Sequence, residues 1–197
     1  MTDSRIIPAL RSLKRGSDQA RIITVQFILN FFYAWMVIYL PLLLSKEMGF
    51  SWPQIGVIFT IMLLPFLIFE LPAGILSDRK IGEREILALG FVIMFIATFI
   101  IPSLVSATFL VWAAILFATR IGASLVEISS ETYFFKHVKE ADTGLISLFR
   151  MTRPLAYVIA PLLALPIIYF FSYSASFYFL AFFVLLGLFF IPKIDTR

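Results

Sequence analysis

The sequence predicts an all-α membrane protein, a bundle of six transmembrane helices with both termini in the cytoplasm. Three observations carry this. First, 61% of the 197 residues are hydrophobic and only 14% are charged. Soluble domains run at roughly 45–50% and 25%, so a chain of this size holds more apolar surface than a water-facing fold can hide. Second, six stretches reach the roughly 20 apolar residues needed to cross a bilayer. Third, 12 of the 16 Lys and Arg fall where a six-span path puts them on one side, and only Lys46 falls on the other. The positive-inside rule makes the basic side cytoplasmic.

Three regions follow: a basic N-terminal segment (1–20), the bundle (21–192) and a short cytoplasmic tail (193–197). In the first, Ile6, Ile7, Leu10 and Leu13 recur at near-helical spacing among basic residues. That pattern suits a short interfacial helix, and a disordered tail fits it as well. It has no signal-peptide pattern.

The first span covers 22–44, where Gln26, Asn30, Tyr33 and Val37 share one helical face. Ser51-Trp52-Pro53-Gln54 opens the second, 54–77. Ser51 is a cap, Gln54 can reach back to it, and Pro53 suits the first turn. From Gln54 to Ser77 the only charge is Glu70, yet Asp78 to Glu85 carries six charges in eight positions. This abrupt mixed-sign loop precedes the third span, 86–105. The fourth and fifth, 108–135 and 145–170, are long and charged, and the sixth covers 174–191. Intramembrane prolines at 41, 65, 72, 154, 161 and 166 suit bent helices or plain shape-fitting.

A charge at a helix centre in lipid costs roughly 2.5–3.5 kcal/mol. Glu70, Arg120, Glu127, Arg150 and Arg153 are therefore expected to face a cavity or one another. Arg120, Ser124, Glu127 and Glu131 make one polar stripe on the fourth span, and Arg150, Arg153 and Tyr157 make another on the fifth. Across the short loop between these spans, Glu127 and Arg150 sit at similar depth, about 12–14 Å in. The expected pairs are Glu127 with Arg150 or Arg153, with Glu131 competing for Arg150. A carboxylate in low dielectric can carry a coupling proton, which makes Glu70, Glu127 and Glu131 the coupling candidates.

Several classes are excluded. There is no cysteine, and His137 is the only histidine, so neither a thiolate nor a histidine metal site is expected. No phosphate-binding G-x-x-x-x-G-K-[ST] loop occurs. An intramembrane hydrolase lacks its Ser-His or paired-Asp arrangement. No cofactor and no nucleic-acid partner are expected, because the basic residues are explained by topology.

The loop from Gly74 to Leu87 resembles motif A of the major facilitator superfamily, G-x-L-a-D-r-x-G-r-k. Gly74, Leu76, Asp78 and Arg79 match in order, and Gly82 and Arg84 match after one extra residue. Glu83 stands where the family usually has a basic residue. Gly82 is expected to permit a tight turn. Ala118–Glu127, with Arg120 and Gly122, resembles motif B, and Ala160-Pro161 is faintly similar to motif C.

The resemblance implies a bundle of two three-helix inverted repeats, equivalent to the N-terminal half of a twelve-helix transporter. It implies that Asp78 and Arg79 latch two bundles together. It also places Asn30, Tyr33, Arg120 and Glu127, with Arg150 and Arg153, around a cavity for a small organic solute. The expected function is secondary active transport by alternating access, with proton coupling as one possible drive. The second bundle would be a C-terminal half or a homodimer mate. A non-transporting scaffold or receptor on the same bundle is the alternative.

Overall fold

The computed structural model describes the backbone of residues 18–76, 82–104, 106–138 and 142–191, and the side chains of these except 69–76. Among the described residues six long helices follow one another: α1 (Asp18–Lys46), α2 (Trp52–Leu76), α3 (Glu83–Ile100), α4 (Phe109–His137), α5 (Thr143–Phe170) and α6 (Tyr173–Leu185). One further turn, α7 (Gly187–Phe190), extends α6. Among the described residues, five helical stretches are long and apolar enough to cross a membrane, and α2 adds a shorter apolar run over Trp52–Ile68. The N-terminal segment 1–20, read as carrying a short interfacial helix or as a disordered tail, falls mostly outside the described residues.

These helices are apolar nearly all round, as helices must be when lipid replaces water. What decides their packing is side-chain size. α3 and α4 make the closest contact, through two glycines facing each other. A Cβ on Gly90 would lie 2.8 Å from the Gly122 carbonyl oxygen, and one on Gly122 would lie 2.6 Å from the Gly90 carbonyl oxygen. Without side chains the two backbones can touch, a common device for helices in membranes. Elsewhere aromatic rings fill the space. Phe31 of α1 packs against Phe183 of α6 at 4.2 Å, and Phe134 of α4 stacks on Phe149 of α5 at 4.1 Å.

The pairing of helices has an internal regularity. α1 packs on α5 and α2 packs on α4, while α3 packs on both α4 and α6. Exchanging α1–α3 with α4–α6 turns the first contact into the second. It also turns α3/α4 into α6/α1, which is a contact too. α1 is the most enclosed of the five candidate spans and α5 the least. On α3, Leu89, Val92, Ile96 and Phe99 form an exposed apolar stripe, and on α5 Leu155, Val158, Leu162 and Leu165 form another.

The helix ends show where local chemistry acts. Gln54 Oε1 accepts from both the Ser51 backbone N–H and the Ser51 hydroxyl, each at 2.9 Å. Gln54 thus reaches back as the capping pattern predicts, and the Ser51 hydroxyl donates to it. Gly49 reverses the chain between α1 and α2 at φ 74, a left-handed conformation that favours glycine. Glu47 then reaches across to the start of α6. It accepts from the Tyr173 N–H at 2.9 Å, the Ser174 N–H at 3.2 Å and the Ser174 hydroxyl at 2.6 Å. A carboxylate on the free N–H groups of a helix start is favoured by hydrogen bonding and by the helix dipole.

Two spans differ from the sequence-based expectation. The third helix gives way at Ile101 to a 3-10 turn, Ile101–Ser103, with Pro102 in it. The sixth is interrupted at Leu186, next to Gly187, where the Phe91 ring presses so close that no side chain fits. α5 stays helical through Pro154, Pro161 and Pro166.

Candidate functional site

A cavity of about 290 Å³ opens where α1, α2, α4 and α5 meet. α1 supplies Asn30, Tyr33 and Val37, which lie on one face by helical spacing. Leu63 and Phe66 come from α2, Arg120 and Glu127 from α4, and Arg153 and Tyr157 from α5.

Tyr33 is the hub. Its hydroxyl donates to Glu127 Oε2 at 2.8 Å. One face of its ring is 5.1 Å from the guanidinium carbon of Arg120, and its edge relation to Phe66 is 6.1 Å between centroids. Arg120 also lies 5.6 Å from the Phe32 ring. Only 3% of Arg120 is exposed, so the guanidinium is held between two aromatic rings with little water. Ring faces attract a cation but take up none of its in-plane donors well. Among the described residues, Arg120 Nε has no hydrogen-bond partner.

Asn30 joins the cavity to the α1/α5 contact. Its Nδ2 donates to Thr152 Oγ1 at 2.9 Å, and that hydroxyl donates to the Phe149 carbonyl at 2.6 Å. Gln26, one turn earlier on the same face, accepts from the Ser130 hydroxyl at 2.8 Å. Gln26 therefore ties α1 to α4 and is not among the residues lining the cavity.

The other sequence-predicted residues are placed as follows. Glu127 and Arg153 share the cavity. Arg150 and Glu131 are exposed and are not among its lining residues. Glu70, Gly74 and Leu76 lie on α2, but their side chains fall outside the described residues, as do Asp78 and Arg79 altogether. Gly82 directly precedes α3 with φ −64 and ψ 147. Any residue adopts that extended conformation, and the loop before it, where the tight turn is expected, lies outside the described residues. Arg84 is exposed in the first turn of α3. Beside it, the unusual Glu83 has a partner: Lys136 Nζ at the end of α4 is 2.6 Å away. Among the described residues, no three His, Cys, Asp or Glu come together as a metal site.

Sequence reasoning did not single out Leu63, Phe66, Phe32 or Thr152. Each is an apolar or small polar residue in an apolar helix, with no local signal to set it apart.

Residues 22–196 match the family described as Major Facilitator Superfamily. The chain belongs to that superfamily. It is a multi-pass membrane protein of a transporter family. Comparison with curated proteins gives no match to the chain. In this superfamily member, the motif B resemblance falls on two residues with separate jobs. Arg120 faces the cavity, while Gly122, two positions on, is the contact point with α3.

Proposed function

We propose that the chain is a six-span unit of a secondary active transporter that moves a small organic solute by alternating access. One observation carries the reading. Arg120, Glu127 and Arg153 converge with Asn30, Tyr33 and Tyr157 on a single cavity inside an otherwise apolar bundle. Charged groups in membrane spans are costly and mark substrate or ion pathways.

On this reading both termini are cytoplasmic and the bundle sits in the cell membrane. Its helices form two inverted three-helix repeats, and the exchange symmetry of the helix contacts supports that arrangement. A second six-helix bundle, from a C-terminal half or a second copy, completes the site. The motif A residues Gly74, Leu76, Asp78, Arg79, Gly82 and Arg84 latch the two bundles on the cytoplasmic side. Glu127 is the first coupling candidate because its carboxylate already takes part in the cavity's hydrogen bonding. Glu70 and Glu131 are the others.

The test is solute-dependent proton movement in proteoliposomes, followed with a trapped pH dye. Transport coupled at Glu127 disappears in Glu127→Gln, while solute exchange without net proton movement persists. The same pair of measurements on Glu70→Gln and Glu131→Gln assigns or removes each in turn. Proton movement and exchange unchanged in all three variants would contradict coupling at these carboxylates.

A further inference from the structure

We infer that the cavity selects small organic carboxylates, the carboxylate seated on Arg120 and the apolar body against Leu63 and Phe66. The inference rests on the transporter reading above for its biological meaning, and it adds the chemical class of the solute.

Charge is the first argument. Among the described residues, two guanidiniums and one carboxylate line the cavity. The carboxylate, Glu127, already accepts a hydrogen bond from Tyr33. A cationic solute would meet two like charges at close range in a low-dielectric site, where such repulsion is poorly screened.

The second argument is the state of Arg120. It is nine-tenths buried and more, it is flanked by the rings of Tyr33 and Phe32, and among the described residues its Nε lacks an acceptor. A buried donor without an acceptor is destabilising and calls for an explanation. An acceptor that arrives with the solute supplies one. A planar carboxylate matches the fork of a guanidinium and can take two of its donors together. The two rings beside Arg120 and its burial restrict the guanidinium before the solute arrives, so less ordering remains when it binds.

The third argument is the remaining wall. Val37, Leu63 and Phe66 present only apolar surface. They favour a hydrocarbon or aromatic body over a sugar, whose hydroxyls would be left unpaired there. At about 290 Å³ the space lies at the small end of ligand pockets.

The experiment uses the protein solubilised from its own membranes and purified in detergent, so that the second bundle that completes the site is retained, with four probes: benzoate, hexanoate, the neutral isostere benzamide, and benzylammonium. Thermal stability and calorimetric titration report binding. Benzoate and hexanoate are expected to raise the melting temperature, and benzamide and benzylammonium are not. Arg120→Gln should weaken benzoate binding by about ten- to a hundredfold, the loss expected for a charge-assisted hydrogen bond. Should that variant fail to fold, Arg153→Gln decides, because Arg153 is exposed. It should weaken benzoate several-fold and leave the melting temperature of the empty protein unchanged.

Absence of binding by both carboxylates overturns the inference. So does benzylammonium binding at least as tightly, or benzoate binding that no Arg substitution alters. Uptake of labelled benzoate into proteoliposomes separates this result from the transporter reading. Arg-dependent binding without uptake supports the carboxylate site and counts against transport. Uptake of benzylammonium with no carboxylate binding sinks the inference and leaves transport standing.

Discussion

The hydroxyl of Tyr33 donates to Glu127 at 2.8 Å, joining α1 to α4 across 94 positions of sequence. This bond holds a carboxylate in the cavity and fixes the ring whose centroid lies 5.1 Å from the Arg120 guanidinium carbon. Tyr33→Phe should therefore destabilise the protein by about 1.5–3 kcal/mol, the range for a hydrogen bond to a charged group. Glu127→Gln keeps an acceptor oxygen and should cost less than Glu127→Leu. Thermal denaturation of the purified variants ranks the three. Equal losses for Gln and Leu would mean that the bond contributes little.

Gly90 and Gly122 should tolerate no side chain. Each Cβ would meet backbone of the other helix at 2.8 Å or less. Overpacking of this kind costs about 1–3 kcal/mol, so Gly90→Ala and Gly122→Ala should each lower the melting temperature. The double variant should cost less than the sum, since separating the helices to relieve one clash relieves the other. Full additivity would show that the two sites do not share one contact.

Glu47 should matter for α6, although nothing near it in sequence suggests so. It takes three hydrogen bonds from Tyr173 and Ser174. Glu47→Ala should destabilise by ~1 kcal/mol, the usual size for loss of a helix N-cap. Hydrogen exchange localised to the first turn of α6 would report it. Ser174→Ala removes one of the three bonds and should show a smaller effect in the same place.

The Glu83–Lys136 pair, 2.6 Å apart, bridges the start of α3 and the end of α4. Lys136 is half exposed, so the pair should contribute no more than about 1 kcal/mol and should weaken with salt. Charge reversal at either residue should lower stability slightly, and the double reversal should restore it. A double variant as poor as the singles would show that the pair is not a unit.

Most of the cavity could be read from spacing and charge. Arg120, Glu127 and Arg153 stand out because a charge in lipid is costly; helical periodicity aligns Gln26, Asn30, Tyr33 and Val37 on one face, and the family resemblance implies that Asn30 and Tyr33 meet a cavity. The structure lines one cavity with Arg120, Glu127, Arg153, Asn30, Tyr33 and Val37 and leaves Gln26 out of it. Arg150 carries the same signal as Arg153 and yet is not among the lining residues. Three positions turn a helix by most of a circle, so a stripe drawn from sequence is wider than the face that meets a neighbour. Leu63 and Phe66 could not be found this way, because an apolar residue facing a cavity looks the same as one facing lipid.

Longer-range relationships were the least legible. The Glu47 cap spans more than 120 positions, and the Gly90–Gly122 contact depends on the rotation of two helices about their axes. Neither quantity is written in local periodicity.

The most direct test of alternating access uses the absence of cysteine from the chain. Val37 lines the cavity and is 49% exposed, so Val37→Cys places one thiol in it. Ile96→Cys, on the exposed apolar stripe of α3, serves as the control. A membrane-impermeant maleimide is applied to right-side-out and to inside-out vesicles. Alternating access predicts that Cys at position 37 is labelled from both sides and that Cys at position 96 is labelled from neither. Labelling at position 37 from one side only, under every condition tried, would contradict it.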